Sequence, residues 1–316
     1  MTIASAQGAS AWLLVEASSQ GVLRFATAEP SSRPRLTDIY ELDIAGVPTF
    51  TDALQTYERE KGIRLRGMQC AMAIAGASSG EAISLVRSRW TISRGGLAAF
   101  FGTEPVILND VAARAWATRS HTGMTELVRG SGTLSFDRPG RYGMIMVEEG
   151  VGAAIVDVGR DGSVQVLETE AGHMDFAPAS DREDALLKEL RSGGAAVSWE
   201  RLLMLDRLDP LWSTACPDAV EAERPRILAA MLGRFTVNLM HSFGAWQGIM
   251  LTGSRASRMI QSDTRIQFSS SFSTRRNFSR LIGAAPVWRV DQHEAVLSGA
   301  AERLAHEWRP KLSAAA

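Results

Sequence analysis

A short acidic stretch, residues 168–178, holds the side chains best suited to binding a ligand with several hydroxyl groups. Glu168, Glu170, His173 and Asp175 lie there among small residues, directly after an apolar strand-like run. Carboxylates accept hydrogen bonds strongly, and the ring nitrogens of histidine donate or accept them. A solvated helical face would instead show helical spacing and neighbouring lysines or arginines. The spacing alone leaves two interpretations open, a hydroxyl-binding site and an acidic loop with a capping aspartate.

A second candidate lies upstream, where an apolar run at 106–108 ends in Asn109 and Asp110. An alanine-rich helical segment follows this pair. Asp110 has two interpretations at such a junction. It caps the helix, or it is an acid/base group at the carboxyl end of a strand, which is where α/β sheets bind ligands.

Together these segments resemble the bacterial glucokinase family. That family carries an Asn-Asp pair after a strand, then E-G-G-H-x-D-F-A-P, then a glutamate in V-S-x-E-R. The matching stretches here are Asn109-Asp110, 170–178 (Glu-Ala-Gly-His-Met-Asp-Phe-Ala-Pro) and 197–201 (Val-Ser-Trp-Glu-Arg). Gly233-Arg234-Phe235 and Asn238 match a further family helix. Order and spacing agree along nearly the whole chain, the H-x-D-F-A-P segment is specific, and the change of the first glycine to Ala171 is mild.

The resemblance implies an α/β chain with the two-lobed actin-like ATPase (ribonuclease H-like) sugar-kinase fold, a small and a large domain lying around a cleft. We expect the small domain at 1–119, joined by a C-terminal helix at 303–316, and the large domain at 120–302. A length of 316 residues agrees with two domains, since it exceeds one ordinary core. The family also implies a homodimer.

The resemblance further implies a sugar site for glucose or a related hexose. Asp110 would be the catalytic base for the 6-hydroxyl, while Asn109, Glu170, His173 and Glu200 would bind the remaining hydroxyls. Proton removal and in-line positioning are most of what phosphoryl transfer asks of a protein. The family's phosphoryl donor is ATP with Mg²⁺. Which hexose fits stays open, because epimers differ in the position of one hydroxyl.

The nucleotide-binding loops of the family are altered in this chain. Its D-x-G-G-T-N becomes residues 16–21, Glu-Ala-Ser-Ser-Gln-Gly, which loses both glycines and lengthens the aspartate that helps to place Mg²⁺. Its G-T-G-L-G becomes 148–152, Glu-Glu-Gly-Val-Gly, and its G-G-I becomes Gly253-Ser254-Arg255. The glycines left as degenerate nucleotide-binding positions are Gly21, Gly150, Gly152 and Gly253.

We therefore expect a glucokinase-like hexose-binding protein in which Mg-ATP binding is weak or lost and catalysis is impaired. Two alternatives stay open. One is an active glucokinase with an unusual donor site, in which Glu148 or Glu149 recruits Mg²⁺. The other is a non-catalytic sugar sensor or scaffold. Polyphosphate as a donor would meet the same repulsion from the two glutamates.

Charge and composition limit the other classes of partner. A net charge of −1 gives no electrostatic basis for binding nucleic acid or a membrane surface. No apolar run approaches transmembrane length and residues 1–11 lack a basic signal region, so we expect a cytoplasmic protein. Cys70 and Cys216 lack ligand spacing, which predicts buried thiols. We expect no metal site at the other histidines: His121, His241, His293 and His306.

Apolar periodicity predicts the secondary structure. Strands are expected at 11–15, 22–26, 68–74, 81–90, 106–108, 142–147, 152–158, 163–167, 249–251 and 287–290. Helices are expected at 51–61, 181–191, 199–207, 227–243, 254–260 and 293–309. Gly95-Gly96 is expected to precede a short helix, 120–141 to be a polar connection, and 269–276 to be a mobile surface loop.

Overall fold

The structure is a computed structural model that describes residues 11–17, 21–85, 90–120, 123–191, 194–205, 223–273 and 278–313, with side chains to residue 308. The chain divides into two compact units, which take residues 1–122 with 292–316 and residues 123–291. The expected boundaries were 119/120 and 302/303. The observed boundaries are 122/123 and 291/292. The second lies further from the expected one, because the whole C-terminal helix belongs to the first unit.

The first unit begins with a β-hairpin and alternates strands with helices. In chain order its described elements are β1 (Trp12–Ala17), β2 (Val22–Ala28), β3 (Leu36–Asp43), α1 (Phe50–Lys61), β4 (Cys70–Ile74), β5 (Ala82–Ser84), β6 (Thr91–Ser93), α2 (Arg94–Phe101), β7 (Val106–Asn109), α3 (Asp110–Ala117) and a 3₁₀ turn (Thr118–Ser120).

The second unit opens with four strands and continues mainly with helices. Its described elements are β8 (Met124–Arg129), β9 (Gly140–Val147), β10 (Val151–Val158), β11 (Val164–Thr169), a 3₁₀ turn (Ala171–His173), α4 (Asp181–Arg191), α5 (Trp199–Leu203), α6 (Glu223–Phe243), β12 (Gly248–Thr252), α7 (Ser254–Met259), α8 (Arg265–Ser270), α9 (Ser279–Ala284) and β13 (Val287–Asp291). The C-terminal helix α10 (Ala295–Ser313) returns to the first unit.

In the first unit the described strands form a mixed sheet in the order β3-β2-β1-β4-β7. Successive side chains of a strand point to opposite faces. On β1, Leu13 and Val15 therefore pack with α1 and α2, while Trp12 and Leu14 pack against α10. This unit thus has helices on both faces of its sheet.

Helix α10 also fixes α3, the helix that begins at Asp110. A Cβ atom on Gly299 would lie 1.6 Å from the carbonyl oxygen of Ala113. The two helix backbones therefore touch, and only glycine leaves the room for it.

In the second unit the described strands form a mixed sheet in the order β11-β10-β9-β12-β13-β8. β9, β12 and β13 run parallel, and the other three strands pair antiparallel. Helices α4, α5, α6 and α8 share one apolar core with this sheet. Where α6 meets α8, a Cβ atom on Gly233 would lie 2.3 Å from the carbonyl oxygen of Phe268.

Several expected elements were wrong. Three strands, β3, β6 and β8, and two short helices, α8 and α9, were not predicted. Strands β3 and β8 lie at sheet edges and are rich in polar and charged residues. Gly95 and Gly96 lie inside α2, because the Ser93 hydroxyl accepts the Gly96 N–H at 3.1 Å and caps the helix there. Residues 269–273 do not form a surface loop, since α8 extends to Ser270 and Phe272 is buried. The remaining residues of that expected loop reach beyond the described part.

Among the described residues of the strand expected at 81–90, only Ala82–Ser84 form a strand. The other expected strands and helices whose residues are described are confirmed to within a few residues, and Cys70 is buried as predicted. Cys216 and His121 lie outside the described residues. Among the helices that the structure describes, none combines the length and the apolar character that crossing a membrane requires.

Candidate functional site

Asn109 and Asp110 lie where β7 ends and α3 begins. Asn109 is the N-cap, because its Oδ1 accepts the N–H groups of Val111 at 2.8 Å and Ala112 at 3.4 Å. Its Nδ2 donates to the carbonyl oxygen of Gly76 at 3.1 Å, just beyond the parallel neighbour β4. The capping role considered for Asp110 therefore belongs to Asn109.

Asp110 is the first residue of α3, and its Oδ1 accepts the Val111 N–H at 2.8 Å. Its side chain is half-buried. The carboxylate thus lies at the helix N-terminus, where the backbone dipoles favour negative charge, and at the carboxyl edge of the parallel strands β4 and β7. This placement suits an acid/base group held in one orientation.

In the second unit, the two segments that resemble the family's sugar motifs, 170–178 and 197–201, run side by side. Asp175 and Ser198 form an isolated antiparallel bridge. The Phe176 N–H donates to the Val197 carbonyl at 2.9 Å, and the Trp199 N–H donates to the Met174 carbonyl at 3.0 Å. The segments 170–178 and 197–201, which are some twenty residues apart in sequence, therefore form one local structure.

Glu170 directly precedes the 3₁₀ turn that follows β11, and His173 is the last residue of that turn. Each side chain is 61% exposed, and the His173 Nε2 lies 3.8 Å from the Glu170 Oε2. The turn is pressed against β10, since a Cβ atom on Gly172 would lie 1.9 Å from the Val151 carbonyl oxygen. The turn is thereby fixed while the polar ends of Glu170 and His173 stay open to solvent, as a site for hydroxyl groups requires.

Glu200, in the first turn of α5, supports the β9–β10 connection. Its Oε2 accepts the Val151 N–H at 2.8 Å. A Cβ atom on Gly150 would lie 2.9 Å from the same oxygen. Gly150 therefore leaves space for the Glu200 carboxylate, a role that the sequence did not indicate.

Gly152 and Gly253, which were predicted to be degenerate nucleotide-binding positions, lie at the same end of the sheet as Glu148 and Glu149. Glu148 and Glu149, both half-buried, turn between β9 and β10, and Gly152 is a residue of β10 paired with Met146. Gly253 joins β12 to α7 with a φ of 98°, and its Cβ would lie 2.5 Å from the Val147 carbonyl oxygen. Because β9 and β12 are parallel neighbours, their carboxyl ends bring these positions together.

In the first unit, Glu16 is part of an ion-pair network. Glu16 and Arg24 are cross-strand partners on β1 and β2, and the Arg24 Nη1 lies 3.0 Å from the Glu16 Oε2. Arg24 also donates from Nε to Glu41 at 2.9 Å and pairs through Nη2 with Glu294. Burial raises the pKa of the Glu16 carboxyl, and the positive charges of Arg24 and Arg114 oppose that rise.

Sequence reasoning missed this network because its members are far apart in the chain. The β1–β2 register puts Arg24 opposite Glu16, and residue spacing did not predict that register. Gly21 closes the β1–β2 connection with a φ of 74° and nothing within 4 Å of its Cβ position. Ser18, Ser19 and Gln20, which replace the family's glycines and threonine, lie outside the described residues.

Comparison with known proteins supports the assignment made from the motifs. The glucokinase of Xylella fastidiosa (strain 9a5c) is 27% identical over 309 residues, covering 88% of this chain and 90% of the relative. The glucokinase of Stenotrophomonas maltophilia (strain R551-3) is 28% identical over 324 residues, covering 91% and 96%.

Solved structures show the same fold. A glucokinase from an Antarctic psychrotroph matches with a TM-score of 0.73 and 22% identity, over 93% of this chain and 98% of the other. A glucokinase from Balamuthia mandrillaris, solved in complex with glucose, matches with a TM-score of 0.73 and 18% identity, over 95% of each chain. The predicted sugar-kinase fold of the actin-like ATPase class is confirmed.

A family model described as Glucokinase matches residues 21–216 and 211–307. The match begins at Gly21, after Glu16 and the altered loop that follows it. Since the matched ranges take up most of the sequence, the chain belongs to the Glucokinase family.

Proposed function

We propose that this protein binds a hexose, glucose or a near relative, and that its ability to phosphorylate the sugar from Mg-ATP is weak or lost. On the sugar side, the proposed ligands are Asn109, Asp110, Glu170, His173 and Glu200. All five residue types match the family's motifs. The Balamuthia mandrillaris relative, which has the same fold, was solved with glucose bound.

Each proposed sugar residue has the chemistry for its role. Asp110 is the proposed proton acceptor for the 6-hydroxyl, and its orientation is held by the N-terminus of α3. Glu170 and His173 present exposed polar atoms. Asn109 and Glu200 each bind the protein backbone through their side chains, which fixes the direction of both side chains.

The donor side does not fit Mg-ATP, and the Glu16–Arg24 ion pair is the observation that carries this proposal. The family's aspartate at this position helps to place Mg²⁺. Here the carboxylate is longer, its side chain is 13% exposed, and it is bound to a guanidinium 3.0 Å away. Separating a buried carboxylate from such a partner costs several kcal/mol, on the order of 3–5. Glu16 is therefore committed to Arg24 and not to a metal ion.

The second altered loop acts in the same direction. Two like unit charges about 4 Å apart repel by about 4 kcal/mol at an effective dielectric constant of about 20. Glu148 and Glu149 are half-buried in the β9–β10 connection, where the family's loop approaches phosphate. A triphosphate would meet this repulsion, and Ser18 and Ser19 replace the glycines that allow close backbone approach to phosphate in the family.

Calorimetry and thermal unfolding with a panel of hexoses test the sugar side. At a free ligand concentration about a hundredfold above Kd, binding raises the unfolding free energy by about 2.7 kcal/mol. Glu170→Gln and Asp110→Asn should each weaken binding by about 1–3 kcal/mol, because hydroxyl groups lose charged acceptors. Asp263→Asn, at an exposed carboxylate of the second unit, is the matched control and should change nothing. A wild-type protein that responds to no hexose would refute the sugar site.

A coupled assay for hexose 6-phosphate, run beside calorimetry with Mg-ATP, tests the donor side. We expect turnover far below the roughly 1–100 s⁻¹ of ordinary kinases and no tight Mg-ATP binding. Glu148→Gly with Glu149→Thr should raise nucleotide affinity without restoring turnover, since Glu16 stays paired with Arg24. Ordinary turnover that Asp110→Asn abolishes would instead establish an active glucokinase with an unusual donor site. Hexose binding without turnover would favour a sugar sensor or scaffold. The homodimer that the family resemblance implies stays a prediction.

A further inference from the structure

A buried ion pair lies beneath the two sugar motifs of the second unit. Arg234 on α6 donates from Nη1 to the Glu183 Oε1 at 2.9 Å and from Nη2 to the Glu183 Oε2 at 2.7 Å. The side chains are 16% and 6% exposed. This is the two-pronged geometry in which a guanidinium fixes the direction of a carboxylate.

Both members of the pair also contact the sugar motifs. The Glu183 Oε2 accepts the N–H of Ala179 at 2.7 Å, directly after the segment 170–178. The Arg234 guanidinium lies 5.7 Å from the ring centre of Phe176 and 5.9 Å from that of Trp199. These two rings pack edge to face at 4.9 Å. The Glu183–Arg234 pair thus contacts the residue that follows the segment 170–178, and it contacts one aromatic ring from each of the segments 170–178 and 197–201.

Stability alone does not account for such a pair. Removing two charges from water costs free energy, and apolar side chains of similar volume often stabilise a core equally well. A bidentate pair provides direction instead, because it fixes the guanidinium plane against the two rings and the carboxylate against one backbone amide. The charged pair therefore contributes mainly by fixing the orientation of the groups around it.

We propose that Glu183 and Arg234 are positioning residues that set the segment 170–178 against the segment 197–201 and thereby control hexose affinity. The inference rests on the proposed sugar site and adds residues that do not touch the sugar. Displacement of Phe176 or Trp199 is transmitted through the Asp175–Ser198 bridge. It reaches His173 on one side and Glu200 on the other, within two residues of that bridge in each case.

The test replaces the pair by apolar side chains, Glu183→Leu with Arg234→Met, and measures glucose affinity by calorimetry together with hydrogen exchange at the Phe176 and Trp199 amides. The variant should stay folded, yet glucose Kd should rise by about tenfold or more, because a loosened site loses most of its affinity. Both amides should exchange faster. Arg234→Lys, which keeps the charge and loses the planar fork, should lie between wild type and the double variant.

Arg141→Met with Asp157→Leu is the matched control. That pair, at 3.0 Å, joins β9 and β10 at the end of the hairpin away from Glu148 and Glu149. The control should leave glucose Kd and both amide exchange rates unchanged.

A folded Glu183→Leu, Arg234→Met variant that binds glucose as tightly as wild type would overturn the inference. If the double variant unfolds, Arg234→Lys decides by the same two measurements. A wild-type protein that binds no hexose would refute the proposed function alone. The positioning role would then be judged by exchange, and unchanged protection of the Phe176 and Trp199 amides would refute it.

Discussion

Adding one methyl group at Gly172 should destabilise the protein and disturb the sugar motif together. Gly172 is the middle residue of the 3₁₀ turn Ala171–His173, which follows Glu170. A Cβ atom there would lie 1.9 Å from the Val151 carbonyl oxygen and 2.9 Å from its carbonyl carbon. Both neighbours are backbone atoms, so no change of side-chain rotamer relieves the contact. Gly172→Ala must therefore move either the turn or strand β10.

The size of the effect follows from what has to move. Forcing a methyl group into a packed site costs about 1–3 kcal/mol. A shift of Val151 also strains its N–H bond to the Glu200 carboxylate, 2.8 Å long, and a bond to a charged group contributes about 1.5–3 kcal/mol. Together the two give a loss of about 2.5–6 kcal/mol in unfolding free energy.

Urea unfolding, followed by tryptophan fluorescence and fitted with a shared m-value, measures this loss. Gly283→Ala is the control, because nothing lies within 4 Å of its Cβ position inside α9. That change should be neutral or stabilising by up to about 1 kcal/mol, as alanine is the better helix former. The two substitutions are chemically identical, and only Gly172→Ala should lower the unfolding free energy.

Hexose affinity is the second measurement to make on the Gly172→Ala variant. Gly172→Ala should weaken glucose binding even at temperatures at which it is fully folded, since the turn carries Glu170 and His173. A loss of stability below about 1 kcal/mol would mean that the turn moves freely. Gly172 would then not be what fixes the turn against β10.

Two further changes test the packing and the electrostatics away from the sugar motifs. Tyr57→Phe should leave the unfolding free energy unchanged or raise it by up to about 1 kcal/mol. The ring keeps its stacking on Phe25 at 4.3 Å, while the substitution removes a buried hydroxyl that has no hydrogen-bond partner among the described residues. A clear loss of unfolding free energy in urea would contradict this. Glu126, paired with Arg265 and Arg289, has a pKa lowered from 4.5, chiefly by its hydrogen bond from Arg265. Its contribution to stability is therefore present above that ordinary pKa and is lost as pH falls through the lower folded-state value. Between about pH 7 and pH 3, Glu126→Gln should lose less stability than wild type, by up to about 1 kcal/mol for this partly exposed pair, and parallel curves of melting temperature against pH would refute the assignment.

Strands and helices with a strong apolar pattern could be predicted from the sequence, and those with polar sides could not. β9, β10 and α6 carry long apolar runs that bury one or both faces. β3 exposes most of its residues and β8 lies at the edge of its sheet. Their pairing is set by the neighbouring strand, so their own residues give little signal. Helix α2 was misplaced for a related reason, since its N-cap serine outweighs the helix-breaking tendency of two glycines.

The sugar motifs could be found because their chemistry is concentrated in short segments. The bridge between Asp175 and Ser198 brings together the segments 170–178 and 197–201, which the order of the motifs only suggested to be neighbours. The partners of Glu16 and Arg234 were beyond such reasoning. Arg24 contacts Glu294 from the far end of the chain, and a pairing across so many residues depends on how α10 packs on the first sheet.

The proposal of an altered donor side rests on more than missing glycines. At positions that the resemblance assigns to Mg²⁺ and phosphate binding, this chain pairs its polar groups internally. The Glu16 carboxylate is neutralised by Arg24, and the Val151 N–H of the second loop is bound by Glu200. Internal partners are present at all times and cost no binding entropy, whereas a ligand must displace them first. Restoring a glycine therefore opens space without freeing the groups that a nucleotide needs. For that reason, reversion of Glu148 and Glu149 is expected to improve nucleotide affinity only in part, and recovery of turnover requires that the Arg24 ion pair be broken as well.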